Sequence, residues 1–392
     1  MDPRRNPYSP GAGSQPLELA GRGELVTRAE IALDRIRAGR AARSFILYGL
    51  RGVGKTVLLN RIRLDAEARG FASVAVEAPE GRSLPGVLIP ALRAALVRLS
   101  AMSAGRAAFE VAMKALAGFA RAFKVKFHDI EIAMDVAPKP GLADSGDLDF
   151  DLADLFKTIG QAAKKRELAV VLYLDELQYV AERQLAALIT ALHSVAQDQL
   201  PLTMVAAGLP QLAGQMGRAK SYAERLFEFY ELGPLDDAAA RTALTVPAAK
   251  EGATYDDAAL VEILAQTQGY PYFLQEWGKH AWDIAARSPI RGKDAKLATV
   301  LALAELDASF FRVRFDRLTP SEKQYLQAMA ALGPGAHRSG DIADRLGKKV
   351  STVAPVRANL IAKGMAYSPA HGDTAFTVPL FDAFMKRIMG GA

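Results

Sequence analysis

Gly49-Leu50-Arg51-Gly52-Val53-Gly54-Lys55-Thr56 has the spacing G-x-x-x-x-G-K-[ST] of a phosphate-binding loop. Successive backbone N–H groups of such a loop point inward and cradle phosphate oxygens. Glycines 49, 52 and 54 allow the tight curvature and close approach that a Cβ would block. Lys55 can reach β- and γ-phosphates, and Thr56 can offer its hydroxyl to Mg²⁺. Leu50, Arg51, Val53 and Val57 complete the candidate nucleotide-contacting stretch. The flanks agree with this reading. Ser44–Tyr48 is an apolar run suited to a buried parallel strand. Val57, Leu58, Ile62 and Leu64 recur at roughly helical spacing.

A second stretch points to the same chemistry. Leu168–Leu174 is a continuous apolar run that ends in Asp175-Glu176. It is too short to span a membrane and suits a central strand. Ligands bind at the carboxyl ends of strands in open α/β sheets. An acidic pair there can hold Mg²⁺ through Asp175 and polarise an attacking water through Glu176.

Composition sets the bounds. A chain of 392 residues implies two or three domains. The absence of cysteine excludes disulfides, thiolate metal sites and cysteine nucleophiles. The five histidines, at 128, 193, 280, 337 and 371, have no short pair spacing of the helical metal-binding kind. Residues 1–16 lack an apolar core and read as a flexible tail rather than a signal peptide. No apolar stretch approaches a membrane span, so a soluble cytoplasmic protein is expected. Net charge is +6. From Phe311 onward twelve Lys/Arg stand against six Asp/Glu. The excess therefore lies in the last segment and suggests a nucleic-acid partner or a solvated basic face.

Along the chain, apolar strands alternate with helical patterns. Strands are expected at 72–77, Leu202–Ala207 and Phe227–Leu232, and helices at Ser83–Leu99, Ala107–Ala122, 182–198 and Ala219–Leu226. The order predicts an α/β fold with a mainly parallel sheet and helices on both faces. Residues 105–149 read as an insertion with a hairpin turning at His128-Asp129, serving as a DNA-contact arm or a stabilising flap. Residues 236–286 are helical, with N-cap signals at Asp236 and Tyr255-Asp256-Asp257. Thr319-Pro320-Ser321-Glu322 is a capping box. It opens three helices and a hairpin, with Ser351 as N-cap of the third helix and the hairpin around His371-Gly372-Asp373. This is a winged helix-turn-helix. Lys348, Lys349, Thr352 and Arg357 would contact DNA; the alternative use is protein contact or autoinhibition. The divisions are a tail at 1–16, a nucleotide-binding core at 17–235, a helical lid at 236–305 and a winged-helix domain at 306–392.

Together these residues resemble the archaeal and bacterial AAA-type P-loop ATPases related to the Orc1/Cdc6 initiators and to the STAND NTPases. The resemblance rests on Gly21-Arg22 with Glu24, the loop 49–56, Asp175-Glu176-Leu177-Gln178, Gly208-Leu209-Pro210, Gly269-Tyr270-Pro271 and the winged helix. It implies that Arg22 lies near adenine and that Pro271 approaches the nucleotide from the lid. It implies that Arg225 is an arginine finger for a neighbouring subunit, where a helix-end cap or surface ion pair is the plainer role. Arg218 is a second candidate. Gly208 and Tyr270-Pro271 replace the polar sensor and sensor arginine usual in such proteins, which leans toward the STAND side.

The expected function is a Mg²⁺- and ATP-dependent switch that hydrolyses ATP and couples nucleotide state to DNA binding. A STAND-like regulatory NTPase with protein contacts is the alternative, and an accessory ATPase of a mobile element or defence system is a third. Self-association is compatible with each. ATP is favoured over GTP because the chain has no Asn-Lys-x-Asp element.

Overall fold

Helix α1 (Gly23–Arg37) leads into β1 (Ser44–Gly49), α2 (Lys55–Ala68) and β2 (Ala72–Glu77). The computed structural model describes the chain apart from residues 12, 79, 102–105, 124–125, 128–129, 132–135 and 389–392. Helices α3 (Leu84–Ala101) and α4 (Arg106–Ala122) follow, then a short hairpin of β3 (Lys126–Phe127) and β4 (Ile130–Glu131). The expected turn at His128-Asp129 lies outside the described residues. The chain then forms α5 (Leu148–Lys164), β5 (Val170–Asp175), α6 (Glu182–Gln197), β6 (Leu202–Gly208), α7 (Gln211–Ala219), α8 (Ala223–Leu226) and β7 (Phe227–Leu232).

Five strands make one parallel sheet in the order β2-β5-β6-β1-β7. Strand β5 shows why an unbroken apolar run is required. Val170, Leu172 and Leu174 enter the core under α3–α6. Val171 and Tyr173 enter the opposite core with Leu58 and Ile62 of α2. Alternate side chains point to opposite faces, and both faces are covered. The segment read as an insertion is partly core: Phe109, Leu116 and Phe119 of α4 are fully buried.

The expected helix over Ala219–Leu226 is corrected. The helix runs over Gln211–Ala219, and only a single turn forms at Ala223–Leu226. Gly214 and Gly217 lower its helix propensity, yet Leu212 and Met216 are both fully buried. Their spacing of four puts them on one face, so packing overrides propensity.

The lid holds α9 (Asp237–Lys250), α10 (Asp257–Thr267) and α11 (Pro271–Ile284). Asp236 and Asp256 cap as expected, accepting from the Ala239 and Ala259 amides at 2.7 and 2.8 Å. Helix α12 (Gly292–Leu306), a π-helical turn (Asp307–Phe311) and α13 (Arg312–Asp316) run on without a break.

The terminal domain contains α14 (Pro320–Leu332), β8 (His337–Arg338), α15 (Ser339–Arg345), α16 (Val350–Ala362), β9 (Ala366–Tyr367), β10 (Asp373–Phe376) and α17 (Phe381–Ile388). Its antiparallel sheet has the order β8-β10-β9. The Thr319/Glu322 capping box is present. Ser351 is not the cap of α16. The chain leaves α15 through left-handed Gly347 (φ +63°) and enters the helix directly, with Lys349 at the cap position.

Lid and terminal domain share one hydrophobic core, from Leu244 and Trp277 through Phe311 to Phe381 and Phe384. The expected boundary at 305/306 thus falls inside a continuous helical run.

The first ten residues also differ from the flexible tail expected of them. Tyr8 is 3% exposed and packs into the lid. Its hydroxyl donates to the Leu244 carbonyl at 2.5 Å and accepts from the Tyr255 hydroxyl at 2.7 Å. Trp282 Nε1 donates to the Asp2 carbonyl at 2.9 Å. Helix α11 accepts the ring because position 278 is glycine; a Cβ there would sit 2.7 Å from Tyr8 Cδ1.

Candidate functional site

The carboxyl ends of β1 and β5 flank that of β6. The glycine loop follows β1 and the acidic pair follows β5. Gly54 has φ +89° and caps α2, a conformation that costs a residue with a Cβ. Thr56, one residue into α2, donates its hydroxyl to Asp175 Oδ2 at 2.6 Å. The two residues read as metal ligands therefore meet. Both are hard oxygen donors on a helix start and a strand end, a set that suits Mg²⁺ completed by water and phosphate.

Lys55 is 8% exposed. Its Nζ donates to the Gly49 and Leu50 carbonyls at 3.0 and 2.8 Å. Burial lowers its pKa to about 8, a shift that Glu176 opposes and Arg51 reinforces. Burial raises the Asp175 carboxyl, while the Thr56 hydroxyl and the Glu176 amide hold it back. A buried amine and a half-buried carboxyl with shifted ionisation in a cleft are the kind of pair found at functional sites.

Glu176 has φ +53°, a left-handed backbone carried by a non-glycine residue, as functional sites often show. Gln178 Nε2 donates to Glu176 Oε2. Arg51 Nη1 lies 3.7 Å from Glu176 Oε1. The other end of the Gln178 amide accepts from the Leu209 backbone N–H at 2.9 Å. A Cβ at Gly208 would lie 2.8 Å from Gln178 Oε1. Gln178 thus brings an amide to the end of β6, and glycine at 208 leaves the space for it. Asp-Glu-Leu-Gln was visible in the sequence, but the partner of Gln178 was not.

A cavity of about 420 Å³ covers these groups. Its wall includes the apolar side chains of Leu19, Ala20, Leu235 and Ala243 as well as Lys55, Thr56, Asp175 and Glu176. Arg22 lines it as well and donates to the Gly233 carbonyl at 2.5 Å; burial lowers its pKa. Pro271 also reaches it. Behind Pro271, the Tyr272 amide donates to the Gly52 carbonyl at 3.1 Å and ties lid to loop. A Cβ on Gly52, itself at φ +81°, would stand 3.2 Å from Tyr272 Cβ.

Three contributors were missed from sequence. Residues 9–11, 13, 14 and 16 border the cavity, and a Cβ on Gly13 would lie 3.3 Å from the Thr56 methyl. Tyr272 and Phe310 line it, and Arg314 reaches it from α13. None sits in a recognisable motif. The terminal domain also touches the loop: the Arg51 amide donates to the Thr377 carbonyl at 2.9 Å.

The other expected residues lie elsewhere. Arg225 is exposed at the end of α8, and among the described residues it meets no nucleotide-site group. Arg218 Nε is 3.5 Å from Glu182. Lys348, Lys349 and Thr352 are exposed around the start of α16. Arg357 is occupied internally, donating to Thr374 Oγ1, Ser368 Oγ and the Asp373 carbonyl, each at 2.7 Å. It braces the β9–β10 hairpin instead of presenting its charge outward.

Residues 18–205 match the AAA ATPase domain family, and residues 308–385 match a domain of unknown function. No curated protein matches the chain. Among solved structures, the Walker-type ATPase of Pyrococcus abyssi is similar at a TM-score of 0.59 and 17% identity, over 95% of this chain and 97% of that one. The Orc1 protein of Aeropyrum pernix in complex with DNA aligns at 0.46 and 14%, over 95% and 94%. The Holliday junction branch migration motor RuvB of Thermotoga maritima aligns at 0.46 and 15%, over 93% and 96%. The likeness to the Pyrococcus protein is one of fold. No helix among the described residues is long and apolar enough to cross a membrane.

Proposed function

We propose that the AAA-type ATPase domain at residues 18–205 binds and hydrolyses ATP, and that the rest of the chain reads its nucleotide state. The observation that carries this is the contact of Thr56 with Asp175 beside Lys55, in a cavity that the lid borders. The apolar wall of Leu19, Ala20, Leu235 and Ala243 would take the base, and the loop amides the phosphates. Asp175 and Thr56 hold Mg²⁺, which when bound neutralises charge on the phosphate oxygens. Glu176, held by Gln178, accepts a proton from the attacking water. Glu176→Gln is expected to retain ATP and lose turnover, while Lys55→Ala loses both. Calorimetry with phosphate-release assays checks this, and undiminished turnover in Glu176→Gln would falsify the base assignment. Arg225 is exposed and free to meet a second subunit. If it serves as a finger, Arg225→Ala lowers turnover only at concentrations where the protein self-associates.

The output proposed is DNA binding by a winged-helix terminal domain. Its support is the pair of exposed lysines at the start of α16 and the basic balance of the segment. Neutralising Lys348 and Lys349 is expected to reduce the salt slope of DNA binding by about two. Anisotropy titrations of wild type and variant at several salt concentrations measure it. One observation favours protein contact instead. The exposed positions of α16 beyond its first turn are Ala354, Pro355, Ala358, Asn359 and Ala362, which carry no charge. Negligible DNA affinity with or without ATP, together with nucleotide-dependent change in oligomer size, would select that regulatory reading.

A further inference from the structure

Two cavities share two arginine side chains. The nucleotide cavity and a second of about 170 Å³ both include Arg51 and Arg314 in their walls. Arg317 and Lys363 add two more cations to the smaller one. Three of the four are compensated. Arg317 pairs with Glu80 at 3.1 Å, Lys363 with Glu322 at 2.8 Å, and Arg51 stands 3.7 Å from Glu176. Arg314 has no carboxylate partner among the described residues. Its Nη1 donates to the Phe310 carbonyl at 2.5 Å, and its guanidinium lies 4.0 Å over the Phe310 ring. Burial, with the charge of Arg51, lowers its pKa to about 10. A partly buried cation held beside another cation is costly unless an anion joins them.

We propose that Arg314 binds the distal phosphate of the nucleoside triphosphate and thereby ties it to the domain at 308–385. This rests on the reading of the larger cavity as the nucleotide site. Its position argues for the distal end. Arg314 neighbours Arg51, whose guanidinium lies 3.7 Å from the Glu176 carboxylate, and so it stands beside the acidic pair and the glycine loop. The π-turn at 307–311 presents Phe310 to the same cavity. Tyr272 stacks on Phe310 with centroids 4.8 Å apart, and its hydroxyl is held by Glu276 at 2.9 Å. Arg314 is thus positioned by lid residues on a helix that continues into the terminal domain.

The test compares Mg-ADP with the Mg complex of a non-hydrolysable β,γ-imido ATP by calorimetry, on full-length wild type, Arg314→Gln and Arg314→Lys. Arg314→Gln is expected to weaken the triphosphate by about 10- to 100-fold and ADP by no more than about twofold. Arg314→Lys recovers part of the loss, and it serves as the variant of record should the glutamine protein fail to fold. Hydrogen exchange is expected to show protection of 308–385 by the triphosphate in wild type and not in Arg314→Gln. Equal weakening of both nucleotides, or of neither, overturns the proposal and leaves Arg314 a structural brace on Phe310. Wild type that binds neither nucleotide instead overturns the nucleotide site itself.

Discussion

Lys55 is the residue whose chemistry the structure sharpens most. Folded, it loses its proton near pH 8; unfolded, near 10.5. Across that window the unfolded chain holds more protons, so this group makes nucleotide-free stability rise with pH. A polyphosphate beside it reverses the shift, because an anion favours the charged amine. Nucleotide binding is therefore expected to take up a proton above about pH 8, and affinity to fall as pH rises further. Calorimetry in buffers of different ionisation enthalpy checks both; binding with no proton uptake at pH 9 would refute the assignment. The meeting of Lys55, Thr56 and Asp175 was legible because eight consecutive residues and one strand end place them. Arg314 was not, because nothing local distinguishes it from Arg312 or Arg317. Its environment comes from a lid helix, a loop far upstream and the turn before it. The internal partners of Arg357 were hidden for a related reason: its contacts in the hairpin exist only after folding.

Strands and caps were readable wherever a segment's pattern is self-sufficient. β5 is apolar on both faces, and Thr319-Pro320-Ser321-Glu322 closes its own hydrogen bonds. Thr319→Ala is expected to cost about 1 kcal/mol, read from denaturant midpoints. Helix α7 was obscured by its glycines, since Leu212 and Met216 only show their worth against the core. The opening segment was hidden more completely. Its prolines and polar residues look unstructured, and its fit depends on Gly278 and on Tyr255. Tyr8→Ala removes a buried ring and is expected to cost about 3–5 kcal/mol. It is also expected to weaken nucleotide affinity, because residues 9–11, 13, 14 and 16 follow it along the cavity wall. Chemical denaturation and nucleotide titration of the same variant test the pair. Full stability in Tyr8→Ala would show that the docking contributes nothing.

At the scale of the molecule, lid and terminal domain share a core and are expected to move and melt as one body. A chain ended at residue 305 would leave Trp277 and Phe273 without the aromatic cluster of Phe310, Phe311 and Phe384. Its lid is expected to lose cooperative unfolding, as circular dichroism on heating would show; a sharp independent lid transition would contradict the shared core. Sequence division into three modules followed changes of pattern, and a core built from both sides of a helical run produces no such change. What joins this body to the sheet domain includes, besides the Tyr272 amide on Gly52, the peptide proton of Arg51 on the Thr377 carbonyl. That proton is a natural clock. It can trade for deuterium only when the two bodies part or the loop itself opens, so its rate times how often the far end of the chain lets go of the site where ATP would sit.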